Sequence, residues 1–152
     1  IQLVNDVEGN LTQIQNAGKA RFSGVDVTLR YGILKNLDLI SSYSFIIQKN
    51  LSNPDLLFTD VPKHKVWSNL SYQPANWANV SITHEYYSRR YSRSYGIVAD
   101  EFHLFDLHGS LTWKQFTLYM GLKNIFDANY AYAEGYPEAG RNYFTKLVFQ
   151  LN

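Results

Sequence analysis

Asn124-Ile125-Phe126-Asp127-Ala128-Asn129-Tyr130, followed by Gly135-Tyr136-Pro137 and Gly140-Arg141, leads into a closing run in which Tyr143, Thr145, Leu147, Phe149 and Leu151 alternate with Asn142, Lys146 and Gln150. A period of two places the apolar members of that run on one face of an extended strand and the polar members on the other. The stretch before it, 127–140, carries glycine, proline, asparagine and aspartate and reads as a long loop. The same unit repeats upstream: long strand, short turn, long strand, long loop.

Val25, Val27, Leu29 and Tyr31 alternate with Asp26, Thr28 and Arg30. After a turn at 32–36, Leu37, Leu39, Tyr43, Phe45 and Ile47 share one parity, opposite Asp38, Ser42, Ser44 and Gln48. Val66, Leu70 and Tyr72 oppose Lys65, Asn69 and Ser71, with Trp67 on the polar side. Val80, Ile82 and Tyr86 oppose Asn79, Ser81, Thr83 and Glu85, and His84 falls among the apolar set. Phe105, Leu107, Leu111 and Trp113 face away from Asp106, His108, Ser110 and Thr112, and Phe116, Leu118, Met120 and Leu122 face away from Thr117, Tyr119, Gly121 and Lys123. Short extended pieces at 1–5 and 10–16, around a turn cluster at Asp6 to Asn10 and before another at Asn16 to Lys19, bring the expected number of strands to about nine.

Three regularities choose between a membrane barrel and a soluble antiparallel sandwich, whose strands also alternate. The clear strands run about 10 to 13 residues, where soluble sheets favour ~5 to 6 and a tilted membrane-crossing strand needs ~9 to 11. Connections alternate between short (32–36, 74–78, 114–115) and long (48–63, 88–100, 127–140), as outer-membrane barrels do. Tyr31, Tyr72, Trp77, Trp113, Phe116 and Phe149 gather at the short-turn ends, as an interfacial aromatic girdle would. An antiparallel transmembrane β-barrel is therefore expected, with a soluble β-sandwich binding module as the alternative.

Composition points the same way. Of 152 residues, 16% are aromatic, including 12 tyrosines and 9 phenylalanines, and only 18% are charged. Surfaces rich in tyrosine and poor in charge suit contact with something other than bulk water. A net charge of +1 and the lack of a basic run argue against nucleic acid as a partner. The chain has no cysteine, which excludes a disulfide scaffold and a thiolate centre. No stretch reaches the ~18 apolar residues of a spanning helix, so any crossing must be made by strands.

The order N-[IL]-F-D-x-x-Y, a gap, G-Y-P-x-x-G-R and a last strand resembles the carboxy-terminal end of TonB-dependent receptors of Gram-negative outer membranes, nearest in flavour to the cobalamin-receptor branch. Arg21-Phe22-Ser23-Gly24-Val25-Asp26 resembles a late barrel strand of that family. The resemblance implies a barrel of about 22 strands plugged by an amino-terminal domain, so residues 1–152 are expected to form its carboxy-terminal part, with plug and signal peptide absent. It further implies long loops facing outward, surrounding outer-membrane lipids, the remainder of the receptor and TonB acting through the plug as partners, and a surface lipoprotein as an optional one. The implied function is active import of a scarce nutrient, cobalamin or another corrinoid first, with a ferric siderophore or haem as the other transport reading. No bond is made or broken in such a role, and no cofactor is implied.

Arg89, Arg90, Tyr91, Arg93 and Tyr95 lie in the second long loop and mix guanidinium with phenol groups, which suits an anionic or aromatic ligand. Asn124, Phe126, Asp127, Tyr130, Gly135, Tyr136, Pro137, Gly140 and Arg141 form the motif and read as structural, because Asn and Asp at a strand exit bond backbone amides. His64, His84, His103 and His108 lack cysteine support, and the last two fall on opposite faces of a strand, so no metal site is expected. Asp100, Glu101 and Asp106 read as a solvated loop rim, and no Gly-x-Ser-x-Gly elbow accompanies the serines.

Overall fold

The computed structural model describes residues 2–7, 11–15, 18–94 and 96–151. Among them β1 (Gln2–Val7) and β2 (Leu11–Gln15) pair as a hairpin of their own. Then come β3 (Ala20–Leu34), β4 (Leu37–Asn50), β5 (His64–Ala75), β6 (Ala78–Tyr87), the short pair β7 (Arg90–Tyr91) and β8 (Val98–Ala99), β9 (Phe102–Trp113), β10 (Phe116–Lys123), the short pair β11 (Ala131–Ala133) and β12 (Tyr136–Pro137), and β13 (Asn142–Phe149). The turn clusters expected at Asp6 to Asn10 and Asn16 to Lys19 fall partly outside the described residues, and Tyr95 falls wholly outside them.

Seven strands form one antiparallel sheet in the order β13-β10-β9-β6-β5-β4-β3, so each long strand lies beside its neighbour in the chain. Two-residue connections join β3 to β4, β5 to β6 and β9 to β10, and the long connections all emerge at the opposite end. β3 and β4 exceed the expected length, at 15 and 14 residues. β10 and β13 fall short of it, at 8 residues each. β13 stops at Phe149 rather than Leu151 because β10, its one partner among the described residues, begins opposite it at Phe116.

Register turns the alternation of single strands into a continuous surface. Tyr31, Leu39, Leu70, Ile82, Leu107, Leu122 and Tyr143, one residue from each strand, are successive register partners across the whole sheet. On the opposite face, Thr28, Ser42, Trp67, Glu85 and Leu104 form one cross-strand row, and Arg30, Ile40, Asn69, Thr83 and Asp106 another. Thr28 with Ser42, Asn69 with Thr83 and Asn79 with Ser71 are hydrogen-bonded there at 2.9 to 3.0 Å. Trp67 thus does lie on the polar face, between Ser42 and Glu85.

No second sheet covers the apolar face among the described residues. Val25, Val27 and Leu29 are more than half exposed and Leu147 is 65% exposed, where a sandwich would bury such rows. Tyr31, Tyr72, Trp77, Trp113, Phe116 and Phe149 are all exposed at the short-turn end, with the Phe116 and Phe149 rings 4.9 Å apart. Several polar side chains on the apolar face pair with one another. Ser41 and Ser68 share a hydrogen bond of 2.8 Å, as do Tyr43 and His64, while His84 and His103 share one of 3.0 Å and Tyr86 Oη donates to Glu101 Oε2 at 3.1 Å. Pairing of this kind lowers the cost of presenting polar groups to a medium without water.

Candidate binding site at the long-loop end

The connections 51–63, 88–101 and 124–141 close over one another at the end of the sheet away from the short turns. Leu57 N donates to Ser94 O at 3.0 Å and Asp60 N to Tyr91 O at 2.8 Å, which ties the first connection to the second. Glu134 N donates to Asp60 Oδ1 at 3.3 Å and ties the third to the first. Asp60 holds φ at 61°, a left-handed conformation that aspartate tolerates better than most residues.

Arg90 joins the second connection to the third. Its Nη2 donates to Ala131 O, its Nη1 donates to Asp100 O at 3.5 Å, and its guanidinium lies 5.4 Å from the centroid of the Phe102 ring. Behind it, Tyr87, Phe102, Tyr130 and Tyr132 form an aromatic cluster with centroids 4.9 to 5.8 Å apart. Burial lifts the phenols of Tyr132 and Tyr130 above their ordinary range, with carboxylates nearby adding to the rise, so both remain neutral hydroxyls.

The loop expected to be exposed is therefore partly interior. Arg90 is 5% exposed and Ser92 and Ser94 are buried, because the first and third connections fold onto them. Sequence carries no signal for this, since it depends on loops distant in the chain. Arg89 stays at the surface and pairs with Asp100 at 3.6 Å, both side chains largely exposed, an ion pair worth little in water. Arg93 is exposed, and its N–H donates to Ile97 O at 3.4 Å.

Between the first and second connections lies a cavity of about 750 Å³, lined by Ile46, Leu56, Phe58, Lys63, Arg90 and Tyr91 among others. Arg89 also borders it and Arg93 does not. The Arg90 Nε at its wall is buried and has no hydrogen-bond partner among the described residues. Lys63, which sequence reasoning passed over, sets its ammonium 5.6 Å from the Phe45 ring centroid. The cavity thus offers cations against an apolar and aromatic lining, a combination that attracts anions carrying flat ring systems. A smaller concavity of about 350 Å³ on the polar face is lined by Glu85, Asp106, Lys123, Tyr130 and Glu138 among others.

The closing motif builds the third connection. Asn124, 3% exposed, donates from Nδ2 to Ala128 O and accepts from Ala128 N, both at 2.8 Å, while its own N–H donates to Asp106 Oδ1 at 2.8 Å. Asp127 Oδ1 accepts from Arg141 N at 2.7 Å and lies 2.6 Å from where a Cβ on Gly140 would stand, so a side chain there would displace it. Asn124 and Asp127 both take left-handed φ, 51° and 56°, as does Gly135 at 80°. Phe126 is exposed on the apolar face, edge-on to Phe105 at 5.3 Å, and Tyr136 and Pro137 lie exposed in the β11–β12 hairpin. The Arg141 side chain is exposed. Asn124→Ala removes both side-chain bonds and leaves an alanine in left-handed backbone, so a loss of roughly 2 to 3 kcal/mol is expected. Urea titration of the folded protein checks it, and an unmoved midpoint would show that the two bonds contribute nothing.

The family model described as "TonB dependent receptor-like, beta-barrel" matches residues 1–125. The motif from Asn124 onward lies almost wholly beyond that match, whereas Arg21 to Asp26 lies within it. Among solved structures, the copper transporter OprC is similar at a TM-score of 0.77 and 22% identity, over 98% of this chain and 26% of its own. The siderophore receptor PirA from Acinetobacter baumannii follows at 0.76 and 15% identity, over 97% of this chain and 25% of its own. The ferric-catecholate import receptor Fiu from E. coli K12, in its open form, matches at 0.70 and 16% identity, over 88% and 21%. The chain spans about a quarter of the length of these structures.

Proposed function

This chain belongs to the TonB-dependent receptor β-barrel family, and from that premise we propose that it is a wall segment of an outer-membrane receptor that imports an anionic, ring-bearing metal chelate of the ferric siderophore type. In this reading the sheet continues into the remaining strands of a larger barrel. The apolar face meets lipid, the polar face meets the bore and a plug driven by TonB, and the long connections face outward. The family and the structures it resembles are transport receptors rather than enzymes, and the site is read accordingly as a capture surface.

The observation that carries the cargo class is the cavity of about 750 Å³ with Lys63, Arg89 and Arg90 beside Phe58 and Tyr91. A ferric catecholate presents negative charge on aromatic rings and uses both features. A corrinoid, the cargo suggested by the motif alone, presents mostly neutral amide arms with a single phosphodiester and makes less use of three neighbouring cations. The ferric-catecholate and siderophore receptors among the similar structures lend support.

Fluorescence titration of the full-length receptor with a ferric catecholate and with cobalamin separates the two. Saturable binding of the chelate is expected, and Arg90→Gln should weaken it about ten- to a hundredfold, the loss of one or two charge-assisted hydrogen bonds. Saturable binding of cobalamin alone, or an Arg90→Gln receptor with wild-type affinity for the chelate, would overturn this cargo.

A further inference from the structure

Gln48 stands on the polar face of β4, opposite Phe22 of β3. The Phe58 ring of the first long connection lies 5.3 Å from that of Phe22, so the connection folds back over this corner of the sheet. Gln48 Oε1 is buried and has no hydrogen-bond partner among the described residues. Asn50, two positions on, behaves differently. Its Oδ1 accepts from Asn53 N at 2.9 Å and from Ser52 N at 3.2 Å, and its Nδ2 donates to Leu56 O at 3.4 Å, so that amide holds the connection in place. The Gln48 oxygen holds nothing, and a buried acceptor left open costs free energy that no contact within the described fold offsets.

Gln48 borders the same cavity as Arg90, whose Nε is the other buried side-chain atom without a partner among the described residues. The lining therefore offers one open acceptor, on β4, and one open donor, on β7. Lys63, Arg89 and Arg90 make the cavity cationic, which disfavours an ammonium group opposite Gln48. The complementary donor is a neutral one.

We infer that Gln48 is a specificity-determining residue of this cavity, and that the imported chelate carries a secondary amide beside its ring, its N–H donating to Gln48 Oε1 and its carbonyl oxygen accepting from Arg90 Nε. The inference rests on the cargo reading above and deepens it, because charge and rings alone do not distinguish one anionic aromatic chelate from another. A secondary amide sets its donor and its acceptor on opposite sides of one planar group, as suits two partners carried by different strands. A site built to bond an N–H rejects the analogue that lacks it, since the buried acceptor is then left unpaired.

Two isomeric probes differ in that N–H alone: the ferric complexes of N-ethyl-3,4-dihydroxybenzamide and of N,N-dimethyl-3,4-dihydroxybenzamide, equal in charge and in ring count. Fluorescence titration of the full-length wild-type receptor should show about tenfold tighter binding of the N-ethyl complex. Gln48→Met, similar in size but without the acceptor, should bind both alike, at the affinity that the wild type has for the N,N-dimethyl complex. Equal affinities in the wild type would mean that a water satisfies Gln48, and a tenfold preference kept by Gln48→Met would mean that another group reads the N–H. Either result overturns the assignment and leaves the cargo class standing. A wild-type receptor that binds neither complex overturns the cargo reading and this inference with it.

Discussion

A Gly24→Val receptor is expected not to assemble. A Cβ built on Gly24 would collide with the backbone carbonyl oxygen of Phe45 on the neighbouring strand. That oxygen cannot move aside without opening the ladder between β3 and β4, whose register runs from Ala20 opposite Asn50 to Leu34 opposite Leu37. Relief therefore requires a shift of backbone, at more than ~3 kcal/mol. Gly121 makes the control. There an added Cβ would meet the far edge of the Phe144 ring, a side chain that can swing away, so Gly121→Ala should cost about 1 kcal/mol or less. The gel shift between heated and unheated full-length receptor reports the folded barrel. Its absence for Gly24→Val beside its presence for Gly121→Ala is the expected pair, and a normal shift for Gly24→Val would show that the strands are not as close as described.

Leu107→Arg should lower the folding free energy in lipid vesicles by about 2 to 4 kcal/mol, the cost of a guanidinium at the bilayer midplane. Leu107 sits within the seven-residue apolar row, between Ile82 and Leu122. The next residue supplies the contrast, since His108 points to the other face, 5.8 Å from the Phe144 ring. His108→Arg should fold almost as the wild type does, because its charge would stand in a water-filled bore. Equal penalties at the two positions would mean that the faces do not meet different media, and the barrel reading would fail with them.

Strand after strand, the fold was written locally. Val25 to Tyr31, Val80 to Tyr86 and Phe116 to Leu122 declare their two faces by alternation, which is a property of the extended backbone and needs no partner. Lys114-Gln115 between two alternating runs announces a tight reversal in the same way, and the structure joins β9 to β10 there. The pairing of β3 with β4, β5 with β6 and β9 with β10 follows from such short connections, since they leave no other neighbour within reach. Asn124 and Asp127 were legible as loop-shaping residues because they act on backbone groups only a few positions away or at a strand's edge.

What sequence could not convey is which distant groups meet. Arg90 read as one of several ligand-binding candidates in an outward-facing loop, and its burial comes from Ala131, 41 residues on, closing over it. His84 and His103 share a hydrogen bond only because β6 and β9 pair in one register, and a slip of one residue would send them to opposite faces. Arg21 faces Lys49 for the same reason. By itself the chain determined a single amphipathic antiparallel sheet with long connections at one end, because periodicity is local. Only the tertiary structure decided where its charges gather, because register and loop closure are relations between segments that no one segment encodes.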